Sequence, residues 1–137
     1  MPSIISKLFH RTHIPGVTDG YNQEQREAIV DLLNYAMFAD NNIALSEDQF
    51  IADTEKKMTW APHIDFDIYE EQSIGFVRGA KDDQSYRSGF FDSLKRRLGD
   101  AKTKNTALDL CSKLFAVDGP ITPQESEALK TYRRVLF

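Results

Sequence analysis

The sequence has a single cysteine, Cys111, and no long hydrophobic run. One cysteine excludes an intramolecular disulfide and is typical of a protein in a reducing compartment. The longest uninterrupted apolar run covers only residues 35–39, whereas a membrane-spanning helix needs about 20 apolar residues. The first ten residues lack the charged start and the apolar stretch of a signal peptide. We therefore expect a cytoplasmic protein with no direct membrane insertion.

Strong charge of one sign is also missing. The net charge is −4 over 137 residues, of which 41% are hydrophobic and 28% are charged. This balance is typical of a globular protein, and the length fits one domain, 1–137. A general nucleic-acid binder would show a basic excess, so nucleic acid is not an expected partner. No nucleophile elbow, phosphate-binding loop or dinucleotide fingerprint is present, which indicates a protein that is not an enzyme.

Helical periodicity runs through most of the chain. In its clearest example, Ile29, Leu32, Leu33 and Ala36 recur at positions i, i+3, i+4 and i+7, which places them on one helix face. Short connections predict an all-α bundle of about six to seven helices. Residues 1–21 are predicted to form a short docking helix and a lead-in loop. The main helices are predicted from Asn22, from Ser46 to Trp60, from Asp65 to Ala80, from Gln84 to Leu98, from Ala101 to Val117, and from Thr122.

The start of the third predicted helix could also be interpreted as a strand, because residues 63–68 alternate polar and apolar as a strand would. A strand without a partner has no ladder to join, so we favour a helix with Asp65 as its N-cap. Its inward residues are then Phe66, Tyr69, Phe76 and Val77. The fourth helix is expected to bury apolar residues such as Leu94 and to end at Gly99.

An internal repeat is the most informative feature of the sequence. A shift of 78 residues aligns Asp31 with Asp109 and Asp40 with Asp118, and most positions between them pair apolar with apolar. Each acidic residue is followed by a turn and then by a new helix. The sequence thus predicts two helix–acidic turn–helix units, at about 24–60 and 102–136.

Both turns are followed by the pattern of a capping box. Ser46 or Thr122 would accept from the third helical N–H, while Gln49 or Glu125 would reach back to the cap residue. The first turn is two residues longer than the second. Gly119, directly after the second acidic residue, tolerates the positive φ that is common just past a helix end.

The second turn, Ala-Val-Asp-Gly-Pro-Ile-Thr-Pro-Gln-Glu at 116–125, resembles the Asp-Gly turn of TerB-like tellurite-resistance domains. The segment Phe-Ala-Asp-Asn at 38–41, with Ser46 downstream, is similar to the first copy of that family. The resemblance covers about residues 24–136. It implies a helical fold of paired repeats, acidic residues that hold a divalent cation, and a role in tellurite or stress response with protein partners near a membrane. The first copy departs from the family because it lacks the Gly and carries Gln49 where the family tends to have Glu.

The candidate metal ligands are therefore Asp118 and Glu125, with Asp40 and Gln49 as the weaker counterpart. The ion would be Ca²⁺, Mg²⁺, Mn²⁺ or Zn²⁺. Each turn offers few oxygens, whereas Ca²⁺ takes about six to eight, so the two aspartates could instead be turn residues that bond their own loops. The alternative function is a ligand-free scaffold or adaptor for protein interaction.

Other polar residues carry weaker expectations. Asp31 and Asp109 lie nine residues before the acidic turns, which rotates them to the opposite helix face, so both are expected to be solvated or capping. Cys111 is expected in the core. The histidines His10, His13 and His63 show no zinc-site spacing. The segment 81–104 holds seven Lys or Arg against four Asp, which is typical of a solvated helix face.

Overall fold

The structure is a computed structural model that describes residues 20–38, 45–57, 60 and 64–137. The described chain forms six α-helices and a 3₁₀ turn, Ala116–Asp118, with no strand among these residues. The predicted docking helix lies outside the described residues, and of the segment 1–21 only residues 20 and 21 are described. The six helices are α1 (Gln23–Phe38), α2 (Leu45–Lys57), α3 (Phe66–Asp82), α4 (Gln84–Leu98), α5 (Ala101–Phe115) and α6 (Pro123–Leu136).

Local capping signals set several helix ends where they were predicted. Asp65 caps α3 by accepting from the Ile68 N–H at 3.3 Å. Gly99 ends α4 with a φ of 80°. At α6 the capping box is complete, because Thr122 Oγ1 accepts from the Glu125 N–H and Glu125 Oε1 accepts from the Thr122 N–H. The all-helical prediction is confirmed for the described residues.

Several helix boundaries differ from the prediction; α3, for example, continues to Asp82 and does not end at Ala80. α2 begins at Leu45, so the backbone of Ser46 lies in its first turn and not before it. α5 ends at Phe115, before the predicted Val117, because the chain tightens into the 3₁₀ turn. Gly119 follows with a φ of 141°, the left-handed region that a glycine tolerates.

α1 is the central helix of the bundle. It contacts α2, α3, α4 and α5, while α6 packs on α4 and α5. Residues 28–34 of α1 are all buried, so this helix is covered on nearly every side. Burial of apolar surface at about 25 cal/mol per Å² is the main driving force for such packing. Fully buried residues from four helices form the centre of the core: Ile29, Leu32, Leu33, Leu94, Leu98, Leu110, Leu114 and Leu136.

The predicted core is correct for most residues and wrong for one aromatic. Cys111 is fully buried, and burial raises the pKa of its thiol, which fits a core residue instead of a nucleophile. Tyr69 and Val77 of α3 are buried as expected. Phe76, predicted inward, is 40% exposed. It lies at the edge of the buried face of α3, where it lines a cleft. No helix among the described residues combines the length and the apolar character that a membrane crossing needs.

Candidate functional site

A buried polar network joins α1, α3 and α4. The Asp31 carboxylate on α1 is fully buried and lies 2.8 Å from Nη2 of Arg97 on α4. The Tyr69 hydroxyl on α3 donates to the same carboxylate at 2.8 Å. Nε of Arg97 donates to Ser93 at 3.0 Å. A buried charge is tolerated when it is paired and hydrogen-bonded, so these contacts allow Asp31 to sit in the core.

Asp31 and Asp109, which the predicted repeat aligns, lie in opposite environments. The side chain of Asp109 is 50% exposed and pairs with Lys113 one turn along α5, at 2.5 Å. The expectation that both are solvated or capping is therefore wrong for Asp31, while Asp109 is exposed as predicted. The cause is tertiary, because the residues that pair with Asp31 come from α3 and α4.

Burial and pairing change the pKa of two groups in the network. Burial raises the pKa of Asp31 above its ordinary value of 3.8, although the charge of Arg97 opposes the rise. Burial also raises the pKa of Tyr69, and the neighbouring Asp31 raises it further. Tyr69 is thus a neutral hydrogen-bond donor at physiological pH. Nearby, Asn34 donates to Ser73 at 3.0 Å within the same buried layer.

A cleft of about 540 Å³ opens between α3 and α4 directly beside this network. Its aromatic end holds Phe76, Tyr86 and Phe90. Its polar end holds Glu27, Gln72, Ser93 and Arg97, and Tyr69 also lines it. A concave, mostly apolar site with a few convergent polar groups is the usual form of a binding site. We refer to it below as the α3–α4 cleft.

Two glycines shape the cleft in different ways. A Cβ on Gly79 would lie 2.8 Å from Cε1 of Tyr86, so Gly79 lets the Tyr86 ring lie flat against α3. Gly89 lines the cleft within α4, and a Cβ there would meet no atom within 4 Å. Helix packing therefore does not require a glycine at 89. A glycine inside a helix costs about 1 kcal/mol relative to alanine, and its main structural effect here is to leave the cleft open.

Of the four predicted cation ligands, only Glu125 and Gln49 have side chains among the described residues. Oε1 of Glu125 is engaged in the capping box, and the Gln49 amide donates to Asp53 at 3.0 Å. Asp40 lies outside the described residues, and only the backbone of Asp118 is described, in the 3₁₀ turn. No group of three or more His, Cys, Asp or Glu that could hold a metal ion occurs among the described residues. His10, His13 and His63 are also outside them.

Sequence reasoning missed the cleft. Phe76 and Tyr86 stand ten residues apart on different helices, and nothing in the linear sequence shows that they flank one cavity. One signal was available, since two glycines at 75 and 79 in α3 and one at 89 in α4 interrupt otherwise good helices.

Comparisons with protein-family models, with curated proteins and with solved structures found no match. The resemblance to TerB-like domains therefore stays a prediction.

Proposed function

We propose that this chain is a non-enzymatic helical module that binds a segment of a partner protein in the α3–α4 cleft. The observation that carries the proposal is a pair of half-exposed aromatic rings, Phe76 on α3 and Tyr86 on α4, that line one cleft together with Gly89. Phe76 is 40% and Tyr86 45% exposed, and a Cβ on Gly89, which lines the same cleft, would meet no atom within 4 Å. Exposed aromatic residues at the centre of a concave surface are typical of protein-binding hot spots.

Rigidity of the cleft supports this proposal. Its two walls, α3 and α4, are tied to the central helix by the contacts of Asp31 with Tyr69 and Arg97. The α3–α4 connection is a single residue, Asp83, which caps α4 by accepting from the Tyr86 N–H at 3.1 Å. A preformed site avoids the entropy cost of ordering its walls when a partner binds.

As part of this proposal, the predicted internal repeat explains how the helical scaffold arose. The two helices that precede the acidic turns, α1 and α5, pack against each other. Gln25 and Thr103, which are 78 residues apart like all aligned pairs, meet in a hydrogen bond of 3.3 Å. This arrangement supports a pseudo-symmetric pair of units in which α3 and α4 are inserted between the copies and build the cleft.

Cation binding at the acidic turns, with a role in tellurite or stress response, remains a separate hypothesis. It depends on Asp118 and Asp40, because Glu125 and Gln49 already use side-chain atoms in contacts within their own helices. Calorimetric titration of the wild type and of Asp118→Asn with Ca²⁺, Mg²⁺, Mn²⁺ and Zn²⁺ tests it. Heat that disappears in Asp118→Asn would favour the cation hypothesis, and no heat with any of the four ions would reject it.

A selection from a random peptide library tests the proposed function. Peptides selected on the immobilised wild-type protein are titrated into ¹⁵N-labelled protein. We expect the largest chemical-shift changes at cleft residues such as Phe76, Gly89 and Ser93. Shift changes concentrated at 116–125 and 49–53 would instead indicate that the acidic turns form the interaction surface, and would contradict the proposal.

A further inference from the structure

The α3–α4 cleft is lined by two charged residues, Arg97 and Glu27, which differ in their ion pairing. Arg97 is paired with the buried Asp31 at 2.8 Å, so its positive charge is balanced within the protein. Glu27 also lines the cleft, and among the described residues its carboxylate accepts only from the neutral Gln23 amide, at 3.2 Å. Among the described residues, no cation forms an ion pair with Glu27. Of the two charged residues that line the cleft, Glu27 is thus the one with no ion-pair partner among the described residues.

The aromatic residues of the cleft also favour a positively charged ligand. Tyr69, Phe76, Tyr86 and Phe90 all line it, and the faces of aromatic rings carry negative electrostatic potential that attracts cations. Tyr69 stays protonated because burial and Asp31 raise its pKa, so it adds no charge of its own. A long aliphatic stem with a positive end, such as a lysine side chain, matches an apolar cleft that has a carboxylate at one end.

We infer that the occupant of the α3–α4 cleft is a lysine or arginine side chain on an apolar segment of the partner protein, with its positive end at Glu27. This inference rests on the proposed function and goes beyond it by giving the chemistry of the partner.

Three synthetic peptides test the inference, acetyl-Gly-Leu-X-Leu-Gly-amide with X as lysine, norleucine or glutamate. Norleucine keeps the aliphatic stem and removes the charge. Titration into ¹⁵N-labelled wild-type protein should give shift changes at the cleft with the lysine peptide binding about fivefold more tightly than the norleucine peptide. The glutamate peptide should bind most weakly.

The matched variants are Glu27→Gln and Glu24→Gln on the same helix. Glu27→Gln should abolish the preference for lysine over norleucine, whereas Glu24→Gln, which does not line the cleft, should keep most of it. A circular-dichroism melt of each variant verifies that it is folded before the titration. Because both peptides are titrated into the same variant, the difference between their affinities is insensitive to any small change in the stability of that variant.

Separate outcomes decide the inference and the proposed function. Equal binding of the lysine and norleucine peptides, tighter binding of the glutamate peptide, or no shift changes at the cleft with the lysine peptide would overturn the inference. The proposed function would still stand if library-selected peptides map to the cleft. A preference for the lysine peptide that persists in Glu27→Gln would also overturn the inference, because Glu27 is the group assigned to the cation.

Discussion

The Asp31 carboxylate on α1 and the Arg97 guanidinium on α4 form an ion pair, with Oδ2 2.8 Å from Nη2, that joins the core to the α3–α4 cleft. Asp31 is fully buried, while 16% of the Arg97 side chain remains exposed where it lines the cleft. Ser93 and Tyr69 hold the two partners in place. The pair fixes one wall of the cleft relative to the central helix.

Loss of the buried cation should destabilise the protein strongly. Arg97→Met keeps much of the aliphatic packing and leaves Asp31 in the core without a positive partner, so we expect a loss of about 3 kcal/mol in the free energy of unfolding. Lys113→Met removes the partner of the exposed Asp109 and should cost less than about 0.5 kcal/mol. Urea denaturation of both variants measures the difference. Equal effects would show that the Asp31–Arg97 contact does not behave as a buried pair.

The contribution of Asp31 to stability should depend on pH. Because burial raises its pKa in the folded state above 3.8, the folded protein binds more protons at Asp31 than the unfolded chain does. The stabilisation is fully present below pH 3.8 and is lost as the pH rises through the raised pKa. The unfolding free energy of the wild type relative to Asp31→Asn should therefore fall as the pH rises above about 4.

Urea denaturation of the wild type and of Asp31→Asn at a series of pH values from about 4 upward tests this prediction. Tyr69→Phe offers a control, because it removes a hydrogen bond that lowers the pKa of Asp31. The decline relative to Asp31→Asn should extend to higher pH in the Tyr69→Phe background. A difference that rises with pH would mean that the native pKa of Asp31 is lowered, which would contradict the dominance of burial over pairing.

The three helical glycines near the cleft should respond differently to alanine. Gly75→Ala and Gly89→Ala place a methyl group in open space, so each should stabilise its helix by about 0.5–1 kcal/mol. Gly79→Ala would press on the Tyr86 ring at 2.8 Å and should gain less or lose stability. Thermal melts rank the three variants. A gain at Gly79 equal to that at Gly75 would show that Tyr86 does not pack there as described.

The sequence predicted the features that short-range chemistry controls. Asp65, Gly99 and Thr122 set helix ends through contacts with residues no more than four positions away. The environments of Asp31 and Asp109 could not be told apart in this way, since the two align in the repeat and both lie on amphipathic helices. Only the packing of residues 38 and 66 positions further along the chain, Tyr69 and Arg97, makes one of them a core residue.

The same reason explains the error at Phe76. Periodicity gives the direction of a side chain around its own helix, but it does not give the width of the gap to the next helix. Phe76 lies at the margin of the buried face of α3, and the small residues Gly89 and Ser93 on α4 leave the space opposite it unfilled. We therefore expect a larger side chain at 89 to occupy the cleft that Phe76 lines.

Filling the cleft at Gly89 is the most direct test of the account. The dissociation constant of a library-selected peptide is measured for the wild type, for Gly89→Leu, and for Gly75→Leu, a matched helical glycine outside the cleft lining. We predict that Gly89→Leu weakens binding at least about tenfold, the loss of roughly 1.4 kcal/mol, while Gly75→Leu stays within about twofold of the wild type. Equal affinity of Gly89→Leu and the wild type would contradict a binding function of the α3–α4 cleft.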